Sequence, residues 1–208
     1  MILIGQYDSS FVRRVGIALK LLGIEFEQRP WSVFSDAHKI RPLNPLTRVP
    51  TLVLDDDDVL VDSHLIISHI EDIAPEGRSL WPATGPHRHR ALKVAGLATG
   101  LADKGVSLFY EQALHNNVSP VWVERCRAQI AAALSVLEED RAWRSSRYWF
   151  GDEIGHADIA VACAIRHTKE ALPEVVAMQD YPSLRSHCDM LEEMPVFREI
   201  SQPFIPPA

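Results

Sequence analysis

The run Asn44-Pro45-Leu46-Thr47-Arg48-Val49-Pro50-Thr51-Leu52, followed twelve residues past Pro50 by Asp62-Ser63, holds the residue types best placed to bind a small ligand. Proline lacks a backbone donor and fixes φ, so ahead of the strand-like residues 51–54 it suits a first strand position or a special turn. A cis bond at Val49-Pro50 would leave the N–H and C=O of Val49 facing outward, as an open edge able to pair with an extended peptide. Asp62-Ser63 stands at the head of an apolar helical run, where backbone N–H groups collect negative charge. One place to pair with a backbone and one to hold a carboxylate point to a small peptide-like anion. Read alone, Asp62-Ser63 is more simply a helix cap.

The elements that must position these residues follow from the hydrophobic pattern. Residues 2–7 read as a buried strand, and residues 10–23 as a helix with Phe11, Val15, Ala18, Leu19 and Leu22 on one stripe, stopped by Gly23. A second strand is expected around 25–29, a short helix over 35–40, and two strands at 51–54 and 59–61 around the acidic hairpin tip Asp55-Asp56-Asp57-Asp58. A helix over 63–73 carries Leu65, Ile66, Ile67, Ile70 and Ile73. The order β-α-β-α-β-β-α describes a small α/β layer domain over residues 1–76. Residues 75–86, rich in proline and glycine, read as a linker. The remainder, residues 87–208, is helical in pattern, with runs at 87–114, 120–143, 157–172 and 183–193 and a short piece near Phe197. The expected fold class is therefore α/β plus all-α.

Bulk properties narrow the function classes. A chain of 208 residues with 47% hydrophobic and 24% charged residues has the composition of a globular protein. A formal charge of −7 argues against a nucleic-acid groove or a polybasic membrane surface. No apolar run has the length of a membrane span, and no export signal precedes the first strand, so a cytoplasmic setting is expected. Cys126, Cys163 and Cys188 are far apart and form no Cys-x-x-Cys pair, which fits buried thiols in a reducing compartment. Neither the acidic tip nor His87-Arg88-His89-Arg90 has ligand spacing for an ion, so no metal is expected.

The order of elements, with Ser9-Ser10-Phe11-Val12-Arg13-Arg14 after the first strand, resembles the glutathione transferase family over nearly the whole chain. The same resemblance rests on Asn44-Pro45 through Val49-Pro50, on Asp62-Ser63, on Trp149-Phe150-Gly151-Asp152 with Ala157-Asp158-Ile159-Ala160, and on the tail from Tyr181-Pro182 to Val196-Phe197. It implies a thioredoxin-like N-terminal domain, an all-helical C-terminal bundle and a homodimer. It also implies glutathione as co-substrate, a small hydrophobic electrophile as its partner, and a role in detoxification. Two departures stand out: Ser10 where proline often follows the first serine or cysteine, and Gly155 where an N-cap Ser or Thr is common.

Conjugation requires a thiolate, because the thiol is a poor nucleophile near neutral pH. A hydroxyl donor at a helix N-terminus stabilises it by a charge-assisted hydrogen bond and the positive end of the dipole. Under the resemblance Ser9 takes that role, with Ser10 and Tyr7 as alternatives; Ser9 can equally serve as a helix cap alone. Val49, held open by Pro50, would pair with the cysteinyl backbone. Ser63 would hold the γ-glutamyl carboxylate and Asp62 its ammonium. Arg48 could reach a carboxylate, Phe11 could pack beside the sulfur, and His38 and Lys39 could meet the glycyl carboxylate. The electrophile is expected between the domains, near Phe11, Trp31, Asp103, Leu108, Phe109 and Tyr110. A cysteine at position 9 or 10 would favour mixed-disulfide chemistry, and there is none. Phe11 stands where the family's maleylacetoacetate isomerases have a cysteine after two serines. A glutathione-dependent peroxidase, dehalogenase or etherase shares the same thiolate, and a non-catalytic glutathione-binding adaptor of the same fold is the alternative of another class.

Overall fold

The structure is a computed structural model that describes residues 1–207. The chain divides into two compact units, Met1–Leu80 together with the residues from Met194 onward, and Trp81–Glu193.

The first unit is built on a four-stranded sheet in the order β2-β1-β3-β4, formed by β1 (Ile2–Ile4), β2 (Glu27–Arg29), β3 (Thr51–Val53) and β4 (Val59–Val61). β1 pairs parallel with β2 and antiparallel with β3, and β3 pairs antiparallel with β4. The parallel pair requires a crossover, and α1 (Ser10–Leu22) supplies it. Val12, Val15, Ala18, Leu19 and Leu22 of α1 are buried together with Leu3, Ile4 and Leu52 of the sheet. Gly23 ends the helix at φ 73°, with its N–H bonded back to Lys20, as a left-handed cap requires. α2 (Ala37–Ile40) is a single turn, shorter than its sequence span. α3 (Ser63–Asp72) packs on α1 through Ile66, Ile67 and Ile70. Asp55–Asp58 form the expected hairpin tip, closed by Leu54 N–H to Asp58 C=O at 2.8 Å.

The second unit is helical: α4 (Gly85–Leu114), α5 (Pro120–Ala142), α6 (His156–Ala171), a 3-10 turn at Met178–Asp180, and α7 (Pro182–Glu192). α4 packs against both α5 and α6. The approach to α6 is close at Gly105, where an added Cβ would stand 3.0 Å from the Thr168 hydroxyl. The buried Asp158 organises the start of α6. Its carboxylate accepts from Gly155 N–H at 2.9 Å and Trp149 N–H at 2.8 Å, and lies 2.9 Å from His187 Nε2 on α7. Gly155 has no side chain to complete a reciprocal capping box, so Asp158 caps the helix from one side only. Among the described residues no helix is long and apolar enough to cross a membrane.

The sequence boundaries need one correction. Residues 194–207 were expected in the helical domain, but the chain from Met194, including α8 (Pro195–Glu199), joins the first unit, which runs on to Leu80. Arg13 on α1 is a principal tie to this segment. Its buried guanidinium donates from Nε to Ile200 C=O and from Nη2 to Phe197 C=O, both at 2.8 Å, and lies 5.4 Å from the Phe197 ring. These are long-range contacts invisible to local pattern. Arg13→Met should lower stability by about 2–4 kcal/mol, because it strands two buried carbonyls. Urea unfolding with hydrogen exchange checks this: amides of α8 should lose protection first, while those of α6 keep theirs.

Candidate functional site

The register of the sheet carries three chain reversals to one end. Ile4 on β1 lies beside Thr51 on β3, and Thr51 lies beside Val61 on β4. The residues that follow Ile4, precede Thr51 and follow Val61 therefore emerge together: Gly5–Ser9, Val49-Pro50 and Asp62-Ser63. Sequence spacing alone could not reveal this, because it depends on the antiparallel pairing of β1 with β3.

The loop before β3 is held by the buried side chain of Asn44. Its amide donates to Arg48 C=O at 2.9 Å and Thr51 Oγ1 at 3.1 Å, and its Oδ1 accepts from Leu46 N–H at 3.0 Å. Thr51 Oγ1 also donates to Arg48 C=O. The Val49-Pro50 peptide is cis and Pro50 is buried. Among the described residues, Val49 N–H and C=O have no place in the hydrogen bonds that close the surrounding turns. The Arg48 side chain is exposed.

Val49 rests on Gly5. A Cβ at Gly5 would stand 2.9 Å from Val49 Cβ and 2.5 Å from Val12 Cγ2, and the backbone there has φ 130°. Only glycine allows β1 to turn into α1 with Val49 packed so closely. This constraint went unread in the sequence, since a glycine after a strand is an ordinary turn signal.

At the head of α1, Ser9 has extended backbone and its Oγ accepts from Val12 N–H at 3.5 Å, the long limit for such a bond. No acidic residue occupies the first turn of the helix. The neighbouring Ser10 is buried, and its Oγ is closed off without a hydrogen-bond partner among the described residues. Tyr7 lies further along: an added Cβ at Gly16, two turns into α1, would meet its Cε1 at 3.1 Å. Burial, and secondarily the charge of Glu199, push the Tyr7 phenol up to about 12. Phe11 is half-buried in the first turn of α1.

At the head of α3, Asp62 has φ 71° and its carboxylate accepts from His64 N–H at 2.8 Å. A non-glycine residue held at positive φ is strained, and such strain gathers at functional sites. Ser63 is buried, and its Oγ accepts from Arg14 Nη1 at 3.2 Å. The His64 imidazole is held below its ordinary range, first by burial and then by the charge of Arg14, with Asp62 opposing.

The remaining predicted residues fall in both units. Lys39 is paired with Asp36 at 2.7 Å and lies 5.7 Å from the Trp31 ring, while His38 is exposed. Asp103 pairs with Lys104, and the Tyr110 ring lies 6.1 Å from Phe109, all in the helical unit.

Gly5→Ala should lower stability by about 2 kcal/mol or more, since the new methyl overlaps Val12 and Val49 at positive φ. Thermal unfolding measures the loss; a change below about 0.5 kcal/mol would mean that the packing of Val49 on Gly5 is not tight.

Comparison with known proteins bears directly on these elements. Residues 3–78 match the family described as glutathione S-transferase, N-terminal domain, and residues 120–189 the family described as glutathione S-transferase, C-terminal domain. The chain is 30% identical to glutathione S-transferase 1 of Dianthus caryophyllus, covering 91% of this chain and 86% of the relative. It is 29% identical to maleylacetoacetate isomerase of Pseudomonas aeruginosa, over 97% of each. Among solved structures, a glutathione transferase family member from Pseudomonas fluorescens Pf-5 with bound glutathione is 27% identical, with a TM-score of 0.81 over 98% of this chain and 99% of that one. The two family matches and the full-length relative establish a thioredoxin-like domain joined to a helical one, and the chain belongs to the glutathione S-transferase family.

Proposed function

We propose that this protein is a glutathione-dependent enzyme that activates the thiol through Ser9 for attack on a small apolar electrophile. The observation that carries the reading is the convergence of three elements at one end of the sheet: a lightly held hydroxyl at the head of α1, an unpaired backbone edge at Val49, and a carboxylate-accepting helix start at Asp62-Ser63. The sulfur, central backbone and γ-glutamyl end of a tripeptide would each find one of them. The likeness to a structure described with bound glutathione supports the same ligand.

In this reading Val49 pairs with the cysteinyl unit through both backbone groups, and Pro50 shapes that edge without entering the chemistry. Ser63 donates to the γ-glutamyl carboxylate, and the exposed Asp62 carboxylate takes the ammonium. Ser9 Oγ accepts from Val12 N–H into a lone pair, which leaves its hydroxyl hydrogen to be donated to the sulfur. An alkyl thiol ionises at about 8.5, and each unit of depression needs about 1.4 kcal/mol of preference for the thiolate. One charge-assisted bond at the positive end of α1 supplies about one to two units. Ser10 is disfavoured because its hydroxyl is closed off, and Tyr7 because its ring lies two turns along the helix. Phe11 offers an apolar face beside the sulfur, and Arg48 an exposed charge that can meet a ligand carboxylate. The protein works as a cytoplasmic homodimer in this account, as is usual in the family.

A second reading has one observation in its favour. The relative named maleylacetoacetate isomerase aligns over nearly the whole of both chains. In such a reaction the same thiolate would add to a carbon–carbon double bond, permit rotation and depart, so glutathione is recovered. Phe11 in place of the cysteine after two serines speaks against it.

Steady-state kinetics on a panel of electrophiles separates the possibilities. Ser9→Ala should lower kcat/KM at pH 7 by about 10- to 100-fold and move the alkaline-rising limb of the pH profile up by about one to two units. Tyr7→Phe should leave both within about twofold. Full activity in Ser9→Ala would remove Ser9 from the mechanism. Consumption of glutathione in step with product marks conjugation, and its recovery marks isomerisation.

A further inference from the structure

The sequence marks Ser63 as a helix-start hydroxyl but gives no reason for it to point at a ligand rather than cap its own helix. The structure supplies one. Arg14, 1% exposed on α1, reaches across to α3 and donates from Nη1 to Ser63 Oγ at 3.2 Å. A serine hydroxyl has one hydrogen and two lone pairs. With a guanidinium donating into a lone pair, the hydroxyl hydrogen is turned away from Arg14 and must be given to an acceptor. Ser63 is only 3% exposed, so this orientation is fixed by the interior and not by water. The helix does not need Ser63 as its cap, because the Asp62 carboxylate already holds His64 N–H at 2.8 Å.

We propose that Arg14 is a positioning residue: acting through Ser63, it presents a hydroxyl donor to the α-carboxylate of the γ-glutamyl group and so sets the site's preference for glutathione over thiols that lack this carboxylate. The role rests on the glutathione reading above. Its parts lie in the first unit and on two elements that pack together, α1 and α3. The charge of Arg14 also reaches the solvent-facing side of this helix start, since it contributes to holding the His64 imidazole below its ordinary range after burial. Arg14 is thus a cation bonded to Ser63, and Asp62 is an opposing charge on the adjoining residue. A ligand with an ammonium beside a carboxylate, as the γ-glutamyl end has, matches that pair of signs.

Binding of two ligands to the full-length protein tests the proposal: glutathione, and its analogue 4-aminobutyryl-cysteinyl-glycine, which lacks only the α-carboxylate. Arg14→Met keeps the length of the side chain and removes the donor. It should weaken glutathione by about 10- to 100-fold and the analogue by less than about twofold, with KM for glutathione rising while kcat at saturation holds. Arg14→Lys, which retains charge and one donor, should recover part of the loss. Equal weakening of both ligands would make Arg14 a scaffold residue and overturn the proposal, as would unchanged glutathione affinity. Should Arg14→Met fail to fold, Arg14→Lys gives the decision: glutathione weakened more than the analogue supports the relay, and equal weakening of both or an unchanged glutathione affinity overturns it. Failure of the unaltered protein to bind glutathione would instead sink the glutathione reading, and the relay with it.

Discussion

The antiparallel pairing of β1 with β3 is the constraint on which the rest of the site depends. It sets Ile4 beside Thr51, and the β3–β4 hairpin sets Thr51 beside Val61. From that register alone, the start of α1, the loop ending at Val49-Pro50 and the start of α3 leave the sheet at the same end. A slip of one residue would turn Leu3 and Leu52 out of the core and separate the three elements. The burial of those side chains, both at 0% exposure, therefore does two things: it stabilises the sheet and it aligns the groups that a tripeptide would touch.

Interior polar residues then refine what the register places. Asn44 staples the loop before Pro50, with three hydrogen bonds replacing the regular structure that loop lacks. Arg13 and Arg14 are adjacent, both buried, and divide their work by direction. The first holds the returning C-terminal segment, and the second reaches Ser63. Buried guanidinium groups are costly unless their donors are met, so each ties α1 to a distant part of its unit. Helix α1 thus serves as crossover, as anchor for the chain's end and as the dipole behind Ser9.

Much of this was legible in the sequence, and what was missed has a common cause. The strands, the main helices, the hairpin tip and the Asp62 cap follow from local pattern, since each depends on residues a few positions apart; Pro50 marks a strand start or special turn, and the structure shows that its bond to Val49 is cis. The first strand was read too long, because Gly5 already turns the chain at φ 130°. The tail from Met194 was assigned to the helical domain because nothing local announces that Arg13 will bind it. Arg14 and Gly5 escaped notice for the same reason. Their importance lies in what they touch far along the chain, at Val49 and, 49 residues away, at Ser63. The choice among Ser9, Ser10 and Tyr7 also needed three dimensions, because all three stand within four positions of one another in the chain.

The central claim is that the head of α1, through Ser9, makes a thiolate of bound glutathione. Ultraviolet titration of the protein saturated with glutathione reads this directly, because the thiolate absorbs at wavelengths where the thiol does not. The account predicts a bound-thiol pKa about one to two units below the free value of about 8.5, and a return toward that value in Ser9→Ala. A bound thiol that titrates like the free one, or a depressed value that survives the loss of Ser9, would contradict it.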